Sequence, residues 1–388
     1  MSLIADNTAL AELCGRLANE EFVTVDTEFM RESTYWPQLC VIQMAGDGEA
    51  AAVDALADGI DLTPVFELMR NPGVQKVFHA ARQDLEIFYH LTGELPAPMF
   101  DTQVAAMVCG FGDSVGYETL VRKLSKAEID KSSRFTDWSH RPLTDKQINY
   151  ALADVTHLRT VYRKLSDKLG DNGRREWLDE EIGTLTTHGT YVTEPDQAWK
   201  RIKSRSAKPR FLAVLREVAG WRELEAQARD LPRNRVLRDE ALVEIAHHAP
   251  KSPGELARTR GLGKRMAEGE AGAAILDAVE RGLAVPLEEC PRPEKKEPLP
   301  RGLGPVSDLM KVLLKMKCEE HHVAQRLVAN SDDIERLAAF GDKADVPALA
   351  GWRRKIFGED ALALKRGDIA VLVAGRKLEI VELEPDAD

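Results

Sequence analysis

The stretch FVTVDTEFM, residues 22–30, constrains the fold more than any other. An apolar, β-branched run that reads as a buried strand carries Asp26 and Glu28 two positions apart. Successive strand side chains alternate between faces, so Asp26 and Glu28 project together, while Val23, Val25, Thr27 and Phe29 take the other side. Two close carboxylates raise one another's pKa unless a cation neutralises them, and an oxygen-only cluster suits a hard ion such as Mg²⁺ or Mn²⁺. Taken alone, the pair also fits a strand edge with both acids in water.

The rest of the first 120 residues supplies the sheet around this strand. Residues 22–29, 38–45 and 49–54 read as strands, the last two joined by a GDG hairpin signal. LTPVFELMRN then reads as a helix, VQKVFH as a strand, ARQDLEIFYHLTG as a helix closed by Gly93, and MFDT as a short fifth strand. Strands first paired by a hairpin and then linked through helices predict a mixed sheet with helices packed on it. The remainder is helical in pattern, interrupted by a semi-extended linker at 286–305 that carries six prolines. The expected units are therefore 1–200, a helical unit at 207–285, that linker, and a second helical unit at 306–388.

Composition narrows the function class. The net charge of −11 argues against a polyanionic partner, yet residues 200–265 hold 17 Lys or Arg against 8 Asp or Glu, a local net of +9. A basic segment inside an acidic chain is the footprint of a nucleic acid or simply a solvated helical surface. The five cysteines are scattered without a CxxC pair, which argues for a reducing compartment and against a disulfide framework. No apolar run reaches membrane-spanning length and MSLIADNTALAELCGRL lacks the pattern of a secretion signal, so a cytoplasmic location without a membrane span is expected.

Two further elements turn the carboxylate pair into a constellation. Asp84 lies in the first turn of a helix that follows a strand, where an acid suits the helix dipole and also ordinary capping. In LTDKQINYALADVTHLRTVY, Thr144 and Gln147 form a capping box, and Ile148, Leu152, Val155, Leu158 and Tyr162 make an apolar stripe. Tyr150 and Asp154 are four apart and therefore share one face beside that stripe.

Asp26-x-Glu28, Asp84 and Tyr150-x-x-x-Asp154 together resemble the three motifs of the DEDD exonuclease superfamily, in its tyrosine branch. The flanks VDTEFMRESTYWPQLCVIQ, VFHAARQDLEIF and FTDWSHRPLTDKQINYALADV are similar to the bacterial ribonuclease D family in particular. Residues from NRVLRDEALVEIAHHAPKSPGELAR onward resemble two helicase-and-RNase-D C-terminal (HRDC) domains, the second less closely. The resemblance implies a ribonuclease H-like α/β domain with a five-stranded mixed sheet, followed by two all-α HRDC-type domains. It also implies a 3′–5′ exoribonuclease that trims RNA with a single-stranded 3′ end, transfer-RNA precursors above all, and acts as a monomer. Two divalent cations about 3.5–4 Å apart would serve the hydrolysis. Asp26 would bridge them, Glu28 and Asp154 would hold the one nearer the attacking water, Asp84 would act on the other through ordered water, and Tyr150 would orient that water.

Further RNA contacts are expected from individual residues. Phe29, Tyr35 and Trp36 are candidates to stack on or wedge the terminal bases, with core packing the competing role for each. His79 stands at a strand end beside the Asp84 helix and reads as structural more readily than catalytic. Trp138 and Arg141 are candidates to position the substrate backbone, and Arg233, Arg235, Arg238, Lys264 and Arg265 to contact phosphates. A DNA exonuclease shares the same motifs, and a non-catalytic RNA-binding adaptor is the rival from another class. The chain contains no GxxxxGK[ST] phosphate loop, which disfavours a helicase-coupled role.

Overall fold

The computed structural model describes residues 2–130, 133, 136–292 and 297–383; the centre of the proline-rich linker, two short pieces of the 131–135 segment and the acidic tail lie outside the described residues. The chain opens with β1 (Ser2–Ile4), α1 (Asn7–Leu17) and the long strand β2 (Phe22–Met30). Then come β3 (Gln38–Ala45), β4 (Ala50–Asp54), α2 (Thr63–Arg70), β5 (Gln75–Phe78), α3 (Arg82–Thr92) and β6 (Met99–Asp101). The sheet order is β1-β4-β3-β2-β5-β6. β3 is antiparallel to both β2 and β4, whereas β1–β4, β2–β5 and β5–β6 are parallel. The mixed sheet thus has six strands rather than the expected five. β1, three residues long, is too short to show an alternation, but it extends the sheet alongside β4 and buries Ile4.

β2 places the site. It pairs with β3 from Thr24 to Met30 but with β5 only from Phe22 to Thr24, so from Asp26 onward one edge overhangs the carboxyl ends of β5 and β6. The crevice outside the carboxyl ends of parallel strands is where open α/β sheets bind ligands. The β2–β3 register also shifts between Glu28 and Phe29, which pair with Val41 and Leu39 and leave Cys40 as the extra residue of a bulge. Such a bulge strengthens the local twist and re-aims side chains beside it.

α4 (Thr102–Val108), α5 (Tyr117–Leu124), α6 (Asp145–Asp171) and α7 (Arg175–Leu185) complete the α/β domain. α6 begins at the expected capping box, with the Thr144 hydroxyl accepting from the Gln147 amide and the Gln147 side chain reaching back to Thr144. It lies across β2, where the Thr24 hydroxyl donates to the Val155 carbonyl at 2.8 Å. On the other face, Val23 and Val25 join the core formed with α1, α2 and α3. The two faces of β2 therefore divide as the alternation predicts.

The first helical unit consists of α8 (Pro209–Ala228), α9 (Arg233–Val236), α10 (Asp239–His248), α11 (Pro253–Leu256), α12 (Lys264–Ala267) and α13 (Glu270–Ala284). The second begins with α14 (Gly304–Glu320), α15 (Gln325–Val328) and α16 (Ser331–Phe340). It closes with α17 (Gly351–Arg353), a π-helical turn over Arg354–Gly358 and α18 (Glu359–Arg366). The two units repeat one plan: a long helix, a four-residue helix, a ten-residue helix, short turns and a closing helix. Even the residues two before the four-residue helix's N-cap match, with Asp230 at φ +48° and His322 at φ +47°.

The second unit is not all-α. After α18 the chain forms an antiparallel hairpin of β7 (Ile369–Ala374) and β8 (Lys377–Glu382). Two runs rich in Ile, Val and Leu flank a two-residue Gly375–Arg376 loop, and Gly375 takes the φ of +64° that this turn requires. The cores differ as well. The first unit buries its own cluster, including Leu215, Val218, Leu242 and Ile275. The second shares one continuous cluster with the α/β domain, in which Leu313, Leu337 and Phe357 join Phe100, Leu158, Val161 and Leu165. Each such side chain contributes about 1.5–3 kcal/mol by leaving water.

Candidate active site

Asp26 and Glu28 from β2 and Asp154 from α6 each offer a carboxylate oxygen within 4.8 Å of the others. Asp26 and Glu28 are half-buried and Asp154 is buried. Asp84 approaches from α3 on the opposite face of β2, where it is 6% exposed and accepts a 2.5 Å hydrogen bond from the Thr27 hydroxyl. Burial pushes the Asp26 carboxyl well above the usual carboxylate range, and Asp154 beside it pushes the same way. Asp84 is likewise raised by burial first and Asp26 second. Converging acids raise one another's pKa, and this donor set suits a hard divalent cation that would offset the repulsion.

Asp154 is held from two sides. The Tyr117 hydroxyl, from the start of α5, donates to the Asp154 carbonyl at 2.6 Å and to the Ala153 carbonyl at 3.1 Å, while Thr24 binds the next carbonyl along. One turn before Asp154 on α6, half-buried Tyr150 hydrogen-bonds to the Asp154 side chain. Burial, followed by the charges of Asp154, Glu28 and Asp26, raises its phenol far above the ordinary value. A protonated phenol there is placed to orient water or an oxyanion by donating a hydrogen bond.

Asp26, Asp84, Tyr150 and Asp154, though not Glu28, line a cavity of about 400 Å³ together with Phe29, His79, Gln83 and Tyr117. His79 Nδ1 lies 3.0 Å from the Thr102 hydroxyl, whose own proton goes to the Phe78 carbonyl, so Nδ1 carries the hydrogen and Nε2 is bare. Burial holds the ring neutral. Sequence reasoning missed Thr24, Thr27 and Tyr117. Thr24 and Thr27 sit inside the quoted strand, and a hydroxyl among apolar residues is a signal for a buried hydrogen bond; Tyr117 is far in sequence from every acid and carries no such signal.

The structure gives several expected RNA contacts other tasks. Trp138 is 2% exposed and packs beside Tyr150, with ring centroids 6.2 Å apart, so burial removes it from any substrate surface. Arg141 grips Asp54 at 2.7 and 2.8 Å and donates to the Trp138 and Cys40 carbonyls, fastening the approach to α6 onto β4 and the β3 bulge. Tyr35 and Trp36 line a different cavity, at the junction with the first helical unit. Tyr35 is hydrogen-bonded to Glu223, and Trp36 stacks on His90 with centroids 4.0 Å apart. Arg233 is likewise committed, donating to Glu223 at 2.6 and 2.5 Å and to the Tyr35 hydroxyl at 2.8 Å. Arg235, Arg238, Lys264 and Arg265 are exposed on the first helical unit, and none lines the acidic cavity.

Known proteins match the fold and its domain order. The 3′–5′ exonuclease family profile matches residues 1–170 and the HRDC domain profile residues 211–279. Ribonuclease D of Nitrobacter hamburgensis is 53% identical over 98% of this chain and 100% of its own length. The chain belongs to the ribonuclease D family. Ribonuclease D of Granulibacter bethesdensis is 49% identical over 98% of this chain and 96% of its own. The crystal structure of Escherichia coli RNase D, described as an exoribonuclease involved in structured RNA processing, superposes with a TM-score of 0.79 at 32% identity, covering 94% of this chain and 98% of that one. Like its ribonuclease D relatives, the chain is a 3′–5′ exoribonuclease, with an α/β exonuclease domain followed by a helical HRDC region.

Proposed function

We propose that this ribonuclease D trims unpaired 3′ ends of structured RNA, transfer-RNA precursors foremost, by hydrolysis at a site built from Asp26, Glu28, Asp84, Tyr150 and Asp154. The observation that carries this reading is the convergence of three carboxylates within 4.8 Å, with a fourth, Asp84, buried beside Asp26 and lining the same crevice. Bound to those acids, two divalent cations, Mg²⁺ or Mn²⁺, would polarise the phosphodiester and acidify the attacking water. Tyr150 orients the water; Tyr117 and Thr24 fix the α6 carbonyls so that Asp154 faces Asp26; Thr27 fixes Asp84. Water forms the new P–O bond, the bond to the 3′ oxygen of the penultimate nucleotide breaks, the proton passes to that oxygen, and a nucleoside 5′-monophosphate leaves.

The protein works as a monomer in the cytoplasm on this reading. Its domains run over 1–200, 207–285 and 306–388. Among the described residues no helix is long and apolar enough to cross a membrane. The test uses 5′-labelled transfer-RNA precursor with an unpaired 3′ tail, and a DNA strand of the same sequence, with Mg²⁺, with Mn²⁺ and with chelator. The expected result is a metal-dependent ladder from the RNA 3′ end that stops near the stem and disappears in Asp26→Ala. Equal shortening of DNA would move the assignment to a general exonuclease, and intact RNA in every lane would overturn it.

A further inference from the structure

We infer that the junction between the catalytic domain and the first helical unit is a second phosphate-binding cleft, which holds the RNA backbone upstream of the scissile bond through Arg82 and Arg201. This rests on the exoribonuclease reading and deepens it. A cavity of about 400 Å³ at the junction is lined by Arg31, Arg82, Arg201 and Arg233, with Glu86 the acid on its wall. A neighbouring cavity of about 340 Å³ continues it past Arg31, Arg201 and Arg233 towards Asn234 of α9. Four arginines around one concavity in a chain of net charge −11 are a concentrated field, and a concave low-dielectric wall strengthens it.

The four differ in what they are free to do. Arg31 is held by Glu86 through two hydrogen bonds of 3.0 and 3.2 Å, and Arg233 by Glu223. Arg82 and Arg201 are exposed and, among the described residues, neither forms a side-chain hydrogen bond or an ion pair. The paired arginines build the wall, and the other two are available to a phosphodiester, whose oxygens match the guanidinium fork.

The cleft also lies on the way out of the active site. Gln83 lines the acidic cavity, and its neighbour Arg82 lines the basic one. Phe29 lines the acidic cavity, and Arg31, two residues on, lines the basic one. A strand whose 3′ end sits against Asp26 and Phe29 meets Arg82 and Arg31 as it leaves, then Arg201 and the basic helical unit.

The experiment measures two quantities for wild type, Arg82→Ala, Arg201→Ala and the double variant: kcat and KM with Mg²⁺ on RNA of three and of ten nucleotides, and affinity for the ten-nucleotide RNA in chelator across a salt series. The double variant is expected to weaken binding of the longer RNA by on the order of a hundredfold. It should also lower the slope of log affinity against log salt by about 1.4, that is about 0.7 per lost phosphate contact. The trinucleotide keeps its kcat/KM, and Arg82→Lys with Arg201→Lys restores the slope. Equal losses on both lengths, or an unchanged slope, would overturn the cleft. Failure of wild type to shorten RNA would strike the exoribonuclease reading alone, because the chelator titration needs no chemistry.

Discussion

Asp230 and His322 hold the same place in the two helical units, and each fastens its unit to the catalytic domain by a different kind of contact. The Asp230 carboxylate accepts the backbone amides of Tyr35 and Trp36 at 3.0 and 2.9 Å, amid the Tyr35–Glu223–Arg233 network and its cavity. At the other place the His322 carbonyl accepts from Arg174 at 3.0 Å, and the Ala324 amide donates to the Met107 carbonyl at 2.9 Å. Gly110 packs so closely there that a Cβ would lie 2.5 Å from the His322 oxygen, on a backbone already at φ +79°. Around this contact the apolar core runs unbroken between the two parts. One plan thus serves two purposes. The second unit is part of the catalytic domain's interior, whereas the first is joined by polar contacts over an open basic cleft, the arrangement suited to a surface that receives a charged chain.

The largest effect that separates the two attachments is a core truncation. Leu313→Ala, in the shared cluster, should cost about 2–5 kcal/mol and lower the melting of the catalytic domain itself. Leu242→Ala, in the first unit's own cluster, should cost a similar amount locally and leave hydrolysis of a short RNA intact at temperatures that inactivate the Leu313 variant. Calorimetry with parallel activity measurements checks both, and an unmoved catalytic transition in Leu313→Ala would break the comparison.

A smaller effect comes from Arg353, which is 7% exposed, donates to the Leu327 carbonyl at 2.7 Å and pairs with Glu180 and Glu181 of α7. Arg353→Met should destabilise by on the order of 2 kcal/mol, since it leaves half-buried Glu181 without its cation. Asp230→Ala should cost only about 1–2 kcal/mol in a urea melt and raise KM for long RNA more than for short RNA.

The smallest and most diagnostic effect is on pH dependence. Asp26 and Asp84 have folded pKa values above their unfolded ones, so they bind more protons in the folded state, and metal-free stability falls as pH rises from the ordinary carboxylate range through the raised values. In chelator the melting temperature should therefore drop as the pH rises above the ordinary carboxylate range, and Mg²⁺ should restore it most at the higher pH. Asp26→Asn should flatten both trends, and a flat profile for wild type would show that the acids do not repel.

The active-site acids were legible because each lies in a short local pattern: an alternating strand, a first helical turn, an i,i+4 pair behind a capping box. What was missed depends on long-range packing or on length. Tyr117 reaches the Asp154 carbonyl across 37 residues, and nothing near it in sequence announces the contact. Tyr35, Trp36 and Arg233 carry the composition of nucleic-acid contacts, yet the fold folds them into a junction, since charge and aromaticity do not reveal whether a partner is RNA or another part of the same chain. β1 is too short for a period to show. The β7–β8 hairpin did carry a turn signal, in Gly375 between two apolar runs, but it lay inside a segment whose helical pattern dominates.

The central claim is that Asp26, Glu28, Asp84 and Asp154 form a site for two cations. Crystals soaked in Mn²⁺ with a short RNA, measured at the manganese absorption edge, test it most directly. Two anomalous peaks about 3.5–4 Å apart, with Asp26 in reach of both and neither peak in Asp26→Asn, are the predicted result. A single peak away from these carboxylates, or none in the presence of RNA, would contradict it.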